Sequence, residues 1–486
     1  MQHYSFYSSH TLKIRFPVKK IKSIYLQVSK SELFRNSAWG IFSNVLQTLF
    51  LSVFFAITAR KFDIDQFAHF LIATTVYQLI VAFSSMGLGQ WFIREFNAQT
   101  DKLSFTSKFI KLQVSLGAIF YFVNIILAFI LYNDAEILWL AGILGVNIIF
   151  DNLIYAIKHL NIAEGRQRTT FSILIIDGFL KLLVGCTLFV YPMSIFVLSI
   201  VLLFVRFFTL NLFIKLGSSN TINVASLWRS KVSFEDIKLQ ILLNWRFVVI
   251  GSISIIFWRS ANIIISKVLT QQDVADYEIA FRIFSIGLIL PTIASATVFA
   301  KFIKFAQANE QENLKDLYNK VFLVYNIFSF LFYAFIFSFS HTLIPLAFGG
   351  KFDGAITCVK QMFLAFLLFP TLLLQANLIV AMKAEKIDMW LNILSLILML
   401  VFCFTGLYFE KSLTVINYAI LLSFGAFHIF QNIFLIKDDH VVRKVSGLYY
   451  SNFSNFERFL DPVTDLGHFS YYSFRTIKIK LGLRVL

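Results

Sequence analysis

Apolar stretches long enough to cross a lipid bilayer recur along the whole chain. A membrane-spanning helix needs about 20 mostly apolar residues, because the hydrocarbon core is about 30 Å thick and a helix rises about 1.5 Å per residue. About twelve stretches meet this requirement, and the sequence therefore predicts an all-α integral membrane protein. The predicted spans are 37–58, 66–88, 110–132, 136–157, 170–190, 193–215, 244–266, 275–298, 320–340, 355–381, 389–409 and 413–436.

The composition supports this fold class. Of 486 residues, 58% are hydrophobic and only 14% are charged, and the mean hydropathy is +0.74. These values lie outside the usage of soluble globular domains. The three cysteines lie in apolar stretches without metal-ligand spacing, and no phosphate-binding or dinucleotide-binding glycine motif is present. No metal site and no cofactor are expected.

Lysine and arginine residues concentrate in alternate connections, which sets the predicted orientation. If the basic segment 1–36 is cytoplasmic, the inner connections include Arg94, Lys158 and Arg166, while the outer connections hold few cations. We therefore expect a multi-pass membrane protein with both termini in the cytoplasm. The basic tail 438–486 is expected to contact anionic lipid rather than nucleic acid.

The longest inner connection divides the predicted helices into two equal sets. The segments "FAHFLIA" at 67–73 and "VADYEIA" at 274–280 occupy corresponding places in the two sets. This weak internal repeat predicts two six-helix lobes related by pseudo-symmetry, an arrangement typical of transporters. The predicted organisation is an N-terminal segment 1–36, a first lobe 37–216, a linker 217–243, a second lobe 244–437 and a tail 438–486.

Seven charged residues lie within the predicted spans, far from their ends. A charge at the centre of a bilayer costs about 2.5 to 3.5 kcal/mol on insertion scales, so such residues generally face a protein or water-filled interior. They are the strongest functional signal in the sequence. The seven are Asp151, Asp177, Lys181, Arg206, Arg259, Glu278 and Arg282.

Helix geometry groups these charges within each lobe. Asp177 and Arg206 are almost equally far from the turn near position 191, and Arg259 and Arg282 are almost equally far from the turn near 271. Each pair should therefore be level in the membrane. Lys181 lies one turn from Asp177 on the same helix face. With Glu278 one turn before Arg282, each lobe would contribute two cations and one carboxylate to a cationic cavity between the lobes.

An alternative is that the acids only neutralise neighbouring arginines between helices, Asp177 with Arg206 and Glu278 with Arg282. Lys181 and Arg259 would then remain unpaired and face a ligand or water. Asp151 is either a satisfied buried carboxylate or a titrating group. The candidate substrate-binding residues are Arg259, Arg282, Lys181 and Arg206, and the candidates for ion coupling are Asp151, Asp177 and Glu278.

Three stretches give the chain a family resemblance. They are "FSNVLQTLFLSVFFAITARKFDIDQFAHFLIATTVYQLIVAFSSMGLGQWFIREF", "NIAEGRQRTTFSILIIDG", and "LIPLAFGGKFDGAI" followed by "LIVAMKAEK". The chain resembles the polysaccharide flippases of the multidrug/oligosaccharidyl-lipid/polysaccharide exporter superfamily, over roughly residues 36–437. Ala68 and Ala275 stand where that family usually has glycine.

The resemblance implies a V-shaped pair of six-helix lobes around a cationic cavity. It implies a transporter rather than an enzyme. Such a transporter moves undecaprenyl-diphosphate-linked oligosaccharide, such as an O-antigen unit for lipopolysaccharide, to the outer leaflet of the bacterial inner membrane by alternating access. Proton or sodium antiport is the implied driving force, and other polysaccharide assembly proteins are the implied partners. The four candidate cations would bind the diphosphate or acidic sugars.

Two other functions are compatible with a chain of this hydrophobicity. A multidrug exporter of the same superfamily would favour organic cations, which a positively charged interior repels. A membrane polysaccharide polymerase would carry a large outer loop, and no predicted outer connection is long enough to supply one.

Overall fold

The computed structural model describes residues 32–217 and 234–437, and every regular element in these ranges is an α-helix. The predicted N-terminal segment, the linker and the basic tail lie largely outside the described residues. The described residues up to Asn432 belong to one compact unit.

The helices of the first half begin and end as follows: α1 Glu32–Lys61, α2 Ile64–Ser84, α3 Leu88–Phe96, α4 Lys102–Leu131, α5 Ala135–Gly145, α6 Asn147–Ala163, α7 Gln167–Thr187 and α8 Ile195–Leu216. Those of the second half are α9 Phe234–Val268, α10 Gln271–Gly287, α11 Ile289–Gln307, α12 Gln311–Phe348, α13 Asp353–Phe366, α14 Phe369–Ala381, α15 Glu385–Phe409 and α16 Leu413–Lys437.

Eight of these helices combine in pairs, so that the chain crosses the membrane about twelve times. The pairs are α2 with α3, α5 with α6, α10 with α11, and α13 with α14. Eleven helical stretches of the described residues are long and apolar enough to span a bilayer. The 35-residue helix α9 supplies the remaining crossing. The predicted all-α membrane fold in two six-helix halves is confirmed.

The helix breaks repeat in the two halves, at the second and fourth crossing of each. In the second half the breaks come just before Pro291 and Pro370, because proline lacks an N–H donor and its ring clashes with the preceding turn. In the first half, Met86 and Gly87 adopt left-handed φ angles of 50° and 59° between α2 and α3. Different residues thus produce the same interruption, which supports the pseudo-symmetry.

Helix α3 occupies a region that the sequence predicted to be an inner connection. Leu88, Phe92 and Phe96 recur every four residues and are buried, whereas Arg94 is exposed. This spacing places the apolar residues on one helix face and leaves the cation on the other. Arg94 was predicted to lie in a connection but lies in a helix. The same is true of Lys158, which lies within α6.

The repeated segments lie where the two halves meet. Helices α2 and α10, which carry "FAHFLIA" and "VADYEIA", pack against each other, and α2 also packs against α9. Ala68 and Ala275 are both fully buried. Small residues allow helix backbones to approach closely, so alanine is suited to these two buried positions.

A first contact between the halves lies at the end of the bundle that the charge pattern predicts to be outside, called here the predicted outer end. Arg60, the penultimate residue of α1, donates from Nε to the carbonyl of Ala347 over 2.9 Å and from Nη2 to the carbonyl of Pro345 over 3.3 Å. The same guanidinium also bonds the carbonyl of Leu346. Cations are stabilised at the C-terminal end of a helix, where carbonyl groups lack helical partners.

A second contact is the pseudo-symmetric counterpart of the first. Lys267, the penultimate residue of α9, lies with Nζ 4.4 Å from the ring centroid of Tyr132, which follows the last residue of α4. The Tyr132 hydroxyl also shares a 2.6 Å hydrogen bond with the Ser266 hydroxyl. In each case the first crossing of one half reaches the end of the third crossing of the other. These two contacts together form the outer clasp.

Replacing Arg60 by glutamine should loosen the outer clasp, because glutamine cannot bond several carbonyls of α12 at once. We expect amide hydrogen exchange in residues 346–352 to accelerate by about tenfold or more, as local opening becomes easier. Hydrogen–deuterium exchange mass spectrometry of the purified protein measures this.

The control for that experiment is Lys61→Gln, one residue away. Lys61 lies over the ring of Phe189 in its own half, with Nζ 4.3 Å from the ring centroid, so its replacement removes the same charge without breaking a contact between halves. Equal acceleration by the two variants would contradict the clasp.

Candidate functional site

Four of the predicted intramembrane charges meet in the first half. Arg206 of α8 donates from Nε to Asp151 of α6 over 2.6 Å, and its Nη1 lies 3.4 Å from Oδ1 of Asp177 on α7. Lys181 donates to Oδ2 of Asp177 over 2.8 Å. The predicted pairing of Asp177 with Arg206 is therefore confirmed, and Asp151 joins it.

Two hydroxyl groups complete this first cluster. The Thr209 hydroxyl donates to Asp177 over 2.8 Å, and the Tyr77 hydroxyl of α2 donates to Asp151. Asp177, with 1% of its surface exposed, thus has three partners. Two acids and two bases make the cluster neutral, so the surplus positive charge predicted for the first lobe is not found among these four residues. The predicted charge count for the first lobe did not include Asp151, because its place beside Arg206 depends on how α6 and α8 pack.

Lys158 adds positive charge near the same cluster. It lies about two turns beyond Asp151 on α6 and interacts electrostatically with both Asp151 and Arg206. The sequence had assigned Lys158 to an inner connection, so its contribution to the interior was missed. Its spacing of seven residues from Asp151 was the available signal, since such residues share a helix face.

The second half holds a smaller cluster between α9 and α10. Nη1 of Arg259 lies 2.5 Å from Oε1 of Glu278, and the Arg259 guanidinium is also 5.1 Å from the ring centroid of Phe281. The Asn262 amide donates to Glu278 and, over 2.9 Å, to the Thr75 hydroxyl of α2. This cluster is thus bonded directly to the first half of the chain.

These pairings correct two expectations. On the alternative interpretation Arg259 and Lys181 would be unpaired, whereas each is held by a carboxylate. Glu278 was expected to neutralise Arg282, one turn away, but it pairs with Arg259 of the adjoining helix instead. The reason is geometric: the Arg282 guanidinium lies over Phe55 of α1, while the packing of α9 on α10 brings Arg259 to the carboxylate.

Arg282 lies between the two halves. Its guanidinium is 4.7 Å from the ring centroid of Phe55, a buried residue of α1. A cation over an aromatic face is stabilised by about 0.5 to 2 kcal/mol. Among the described residues Arg282 forms no ion pair, unlike the other three predicted cations. It is therefore the predicted cation best able to accept an anionic ligand.

Helix α2 connects the two clusters. Thr75 bonds the second-half cluster through Asn262, and Tyr77, two residues later, bonds the first-half cluster through Asp151. Residues two apart point to nearly opposite sides of a helix, so α2 contacts one cluster on each side. Thr75, Tyr77 and Phe55 were not among the residues predicted from the sequence. The stretch "TTVYQ" within an otherwise apolar span was the available signal.

The charges of this site are suited to binding an anion. In the described residues, no group of three or more His, Cys, Asp or Glu side chains is placed to hold a metal ion. The seven predicted charges comprise four bases and three acids, and Lys158 adds a further base. Among these eight residues, which do not include the buried Asp276 of α10 and Asp388 of α15, the surplus is positive, and Arg282 carries it between the halves.

Sequence comparison identifies the family. The chain matches the family of polysaccharide biosynthesis proteins over residues 57–357. No functionally curated protein is significantly similar to it in sequence.

Solved structures share the fold at low sequence identity. An inward-facing multidrug resistance MATE family transporter of the MOP superfamily aligns with a TM-score of 0.68 and 12% identity, covering 81% of this chain and 94% of that one. An outward-facing transporter of the same description gives 0.59 and 15%, covering 86% and 99%. A MOP superfamily transporter from Pyrococcus furiosus, described as having a binding pocket of reverse polarity that suggests a different function, gives 0.56 and 15%, covering 83% and 94%.

The family match covers more than half of the chain, and the structural similarity extends over both of its halves. The chain therefore belongs to the family of polysaccharide biosynthesis proteins, is a multi-pass membrane protein, and shares the fold of the solved MATE family transporters.

Proposed function

We propose that the chain is a flippase that moves an undecaprenyl-diphosphate-linked oligosaccharide, an O-antigen or other surface polysaccharide unit, across the bacterial inner membrane. The observation that carries this proposal is Arg282, a cation without an ion pair among the described residues, held between the two halves against Phe55. A guanidinium is always charged and can bind two phosphate oxygens at once. The diphosphate would bind at Arg282 while the polyprenyl chain stays in the bilayer.

The arrangement of the halves supports alternating access. The outer clasp joins the halves at the predicted outer end, and the inward-facing relative has a higher TM-score than the outward-facing one. The described conformation then corresponds to the state that loads substrate from the cytoplasm. Release to the other leaflet requires the clasp to open and α2 to move against α9 and α10.

Ion coupling is proposed at the carboxylates that hold the cations. A proton on Glu278 would remove the negative charge that binds Arg259 and leave this arginine free for the diphosphate. Proton binding and substrate binding would then be linked, because each changes the charge of the site and thereby the affinity for the other. Asp151 and Asp177 hold Arg206 in the same manner and are the corresponding candidates in the first half.

The interior charge argues against export of cationic drugs. A site with surplus positive charge repels such substrates and attracts anions. The reverse polarity described for the Pyrococcus furiosus transporter illustrates that pocket charge can differ within this superfamily. A polymerase is also disfavoured, since the longest connection between helices in the described ranges runs only from 188 to 194.

Arg282→Gln should impair translocation without impairing folding. A hydrogen bond to a charged group contributes about 1.5 to 3 kcal/mol, which corresponds to roughly a ten- to hundredfold loss of affinity for the diphosphate. In a strain that lacks the native gene, the variant should leave complete lipid-linked oligosaccharides on the cytoplasmic face and reduce surface polymer.

The matched control for this assay is Arg94→Gln, whose side chain is 66% exposed and pairs only with neighbouring Glu95. This variant should restore surface polymer to the level of the unaltered protein. Normal oligosaccharide distribution with Arg282→Gln at native expression would refute the proposed role, and unchanged sugar pools with altered drug sensitivity would favour the multidrug alternative.

Arg206→Gln, in contrast to Arg282→Gln, should mainly lower the stability of the folded protein. Arg206 bonds two carboxylates that are largely buried, and removing one partner of a buried ion pair costs about 3 to 5 kcal/mol. We expect a lower thermal unfolding midpoint in detergent and less protein in the membrane. Arg282→Gln should change the midpoint much less. A midpoint for Arg206→Gln equal to that of the unaltered protein would show that the first cluster is not structural.

A further inference from the structure

A cavity of about 210 Å³ lies inside the second half. It is bordered by α9, α14, α15 and α16, and its wall is mostly apolar, with five aromatic residues. For comparison, an engineered protein cavity of about 150 Å³ holds benzene. This cavity therefore has room for one six-membered ring with substituents. The aromatic residues that line it are Phe257, Trp258, Phe369, Phe424 and Phe427.

One side of the cavity is polar. Asp388, Asn392 and Ser395 line it from α15, at spacings of four and three residues that place them on one helix face. Asp388 is 9% exposed and Ser395 is 4% exposed. Among the described residues, Oδ1 of Asp388 and Oγ of Ser395 have no hydrogen-bond partner. Buried polar atoms without partners are costly, so this wall is suited to a ligand that supplies them.

Two packed rings separate the cavity from the cationic site. Trp258 lines the cavity and packs on Phe281, with the ring centroids 5.0 Å apart. Phe281 lies in turn beneath the guanidinium of Arg259 and directly precedes Arg282 in α10. The cavity and the arginines are thus neighbours, and a ligand that passes the edge of these rings with its diphosphate at the arginines would place its adjoining group in the cavity.

We propose that this cavity binds a sugar residue of the lipid-linked oligosaccharide, an inference that rests on the proposed flippase function. A pyranose ring has apolar C–H faces and a polar rim of hydroxyl groups. The aromatic rings would cover its faces, and Asp388 and Ser395 would bond its hydroxyls. A lone metal ion would leave most of the volume empty, and an acyl chain would leave both polar atoms without partners.

The test measures binding of defined lipids to the purified full-length protein in lipid nanodiscs, by native mass spectrometry. The probes are undecaprenyl diphosphate without a sugar and undecaprenyl diphosphate that carries one glucose, galactose or N-acetylglucosamine. The unaltered protein should bind at least one sugar-bearing lipid more tightly than the sugar-free lipid. Asp388→Asn and Ser395→Ala should each reduce this preference, Asp388→Asn by about tenfold, without weakening binding of the sugar-free lipid.

Two further variants separate this inference from the proposed function. Arg282→Gln should weaken binding of every probe, because all carry the diphosphate. Asp316→Asn, an exposed carboxylate paired with Lys320 on α12, should change none. Ser395→Ala removes only an unpartnered hydroxyl, so it keeps the test valid if Asp388→Asn does not fold.

Three outcomes would overturn the assignment. The first is equal binding of all four lipids by the unaltered protein, and the second is a sugar preference that survives both cavity variants. In these two cases the flippase function stands and only the sugar cavity is refuted. The third is no binding of any probe by the unaltered protein, which would refute the proposed function together with the cavity.

Discussion

The cost of placing a charge in hydrocarbon governs the interior of this protein. Each ionised side chain within a membrane span requires a partner or a polar surface, and the described charges meet this requirement through contacts between helices. Arg206 draws together three helices of the first half, and Arg259 joins two of the second. Because removing one partner strands the other in a medium of low dielectric, these clusters fix the helices as well as the charges.

Helix α2 has a central place in this arrangement. Its hydroxyl groups at Thr75 and Tyr77 reach clusters in both halves, and its buried surface packs on α9 and α10. Movement of one half against the other must therefore disturb bonds on at least one side of α2. The same helix thus couples the state of the charges to the relative position of the halves, which is what alternating access requires.

Pseudo-symmetry in this chain is a property of geometry more than of residue identity. The helix breaks fall at matching crossings, although proline accompanies both breaks of the second half, whereas left-handed residues accompany only the break between α2 and α3 in the first half. The two contacts of the outer clasp likewise match in position while Arg60 bonds carbonyl groups and Lys267 lies over a ring. The asymmetric features, Arg282 and the cavity at Asp388, both belong to the second half, so the proposed substrate contacts are concentrated there.

The sequence by itself determined the membrane fold, the approximate spans, the division into halves and seven of the charges within the spans, because hydropathy and the cost of buried charge are local properties. It also predicted that Lys181 lies near Asp177, which one helical turn decides. Only the tertiary structure decided that Arg259 rather than Arg282 pairs with Glu278, and that Asp388 lines a cavity with aromatic residues from other helices. These contacts join residues from different helices, and their partners depend on helix rotation and packing, which no single segment specifies.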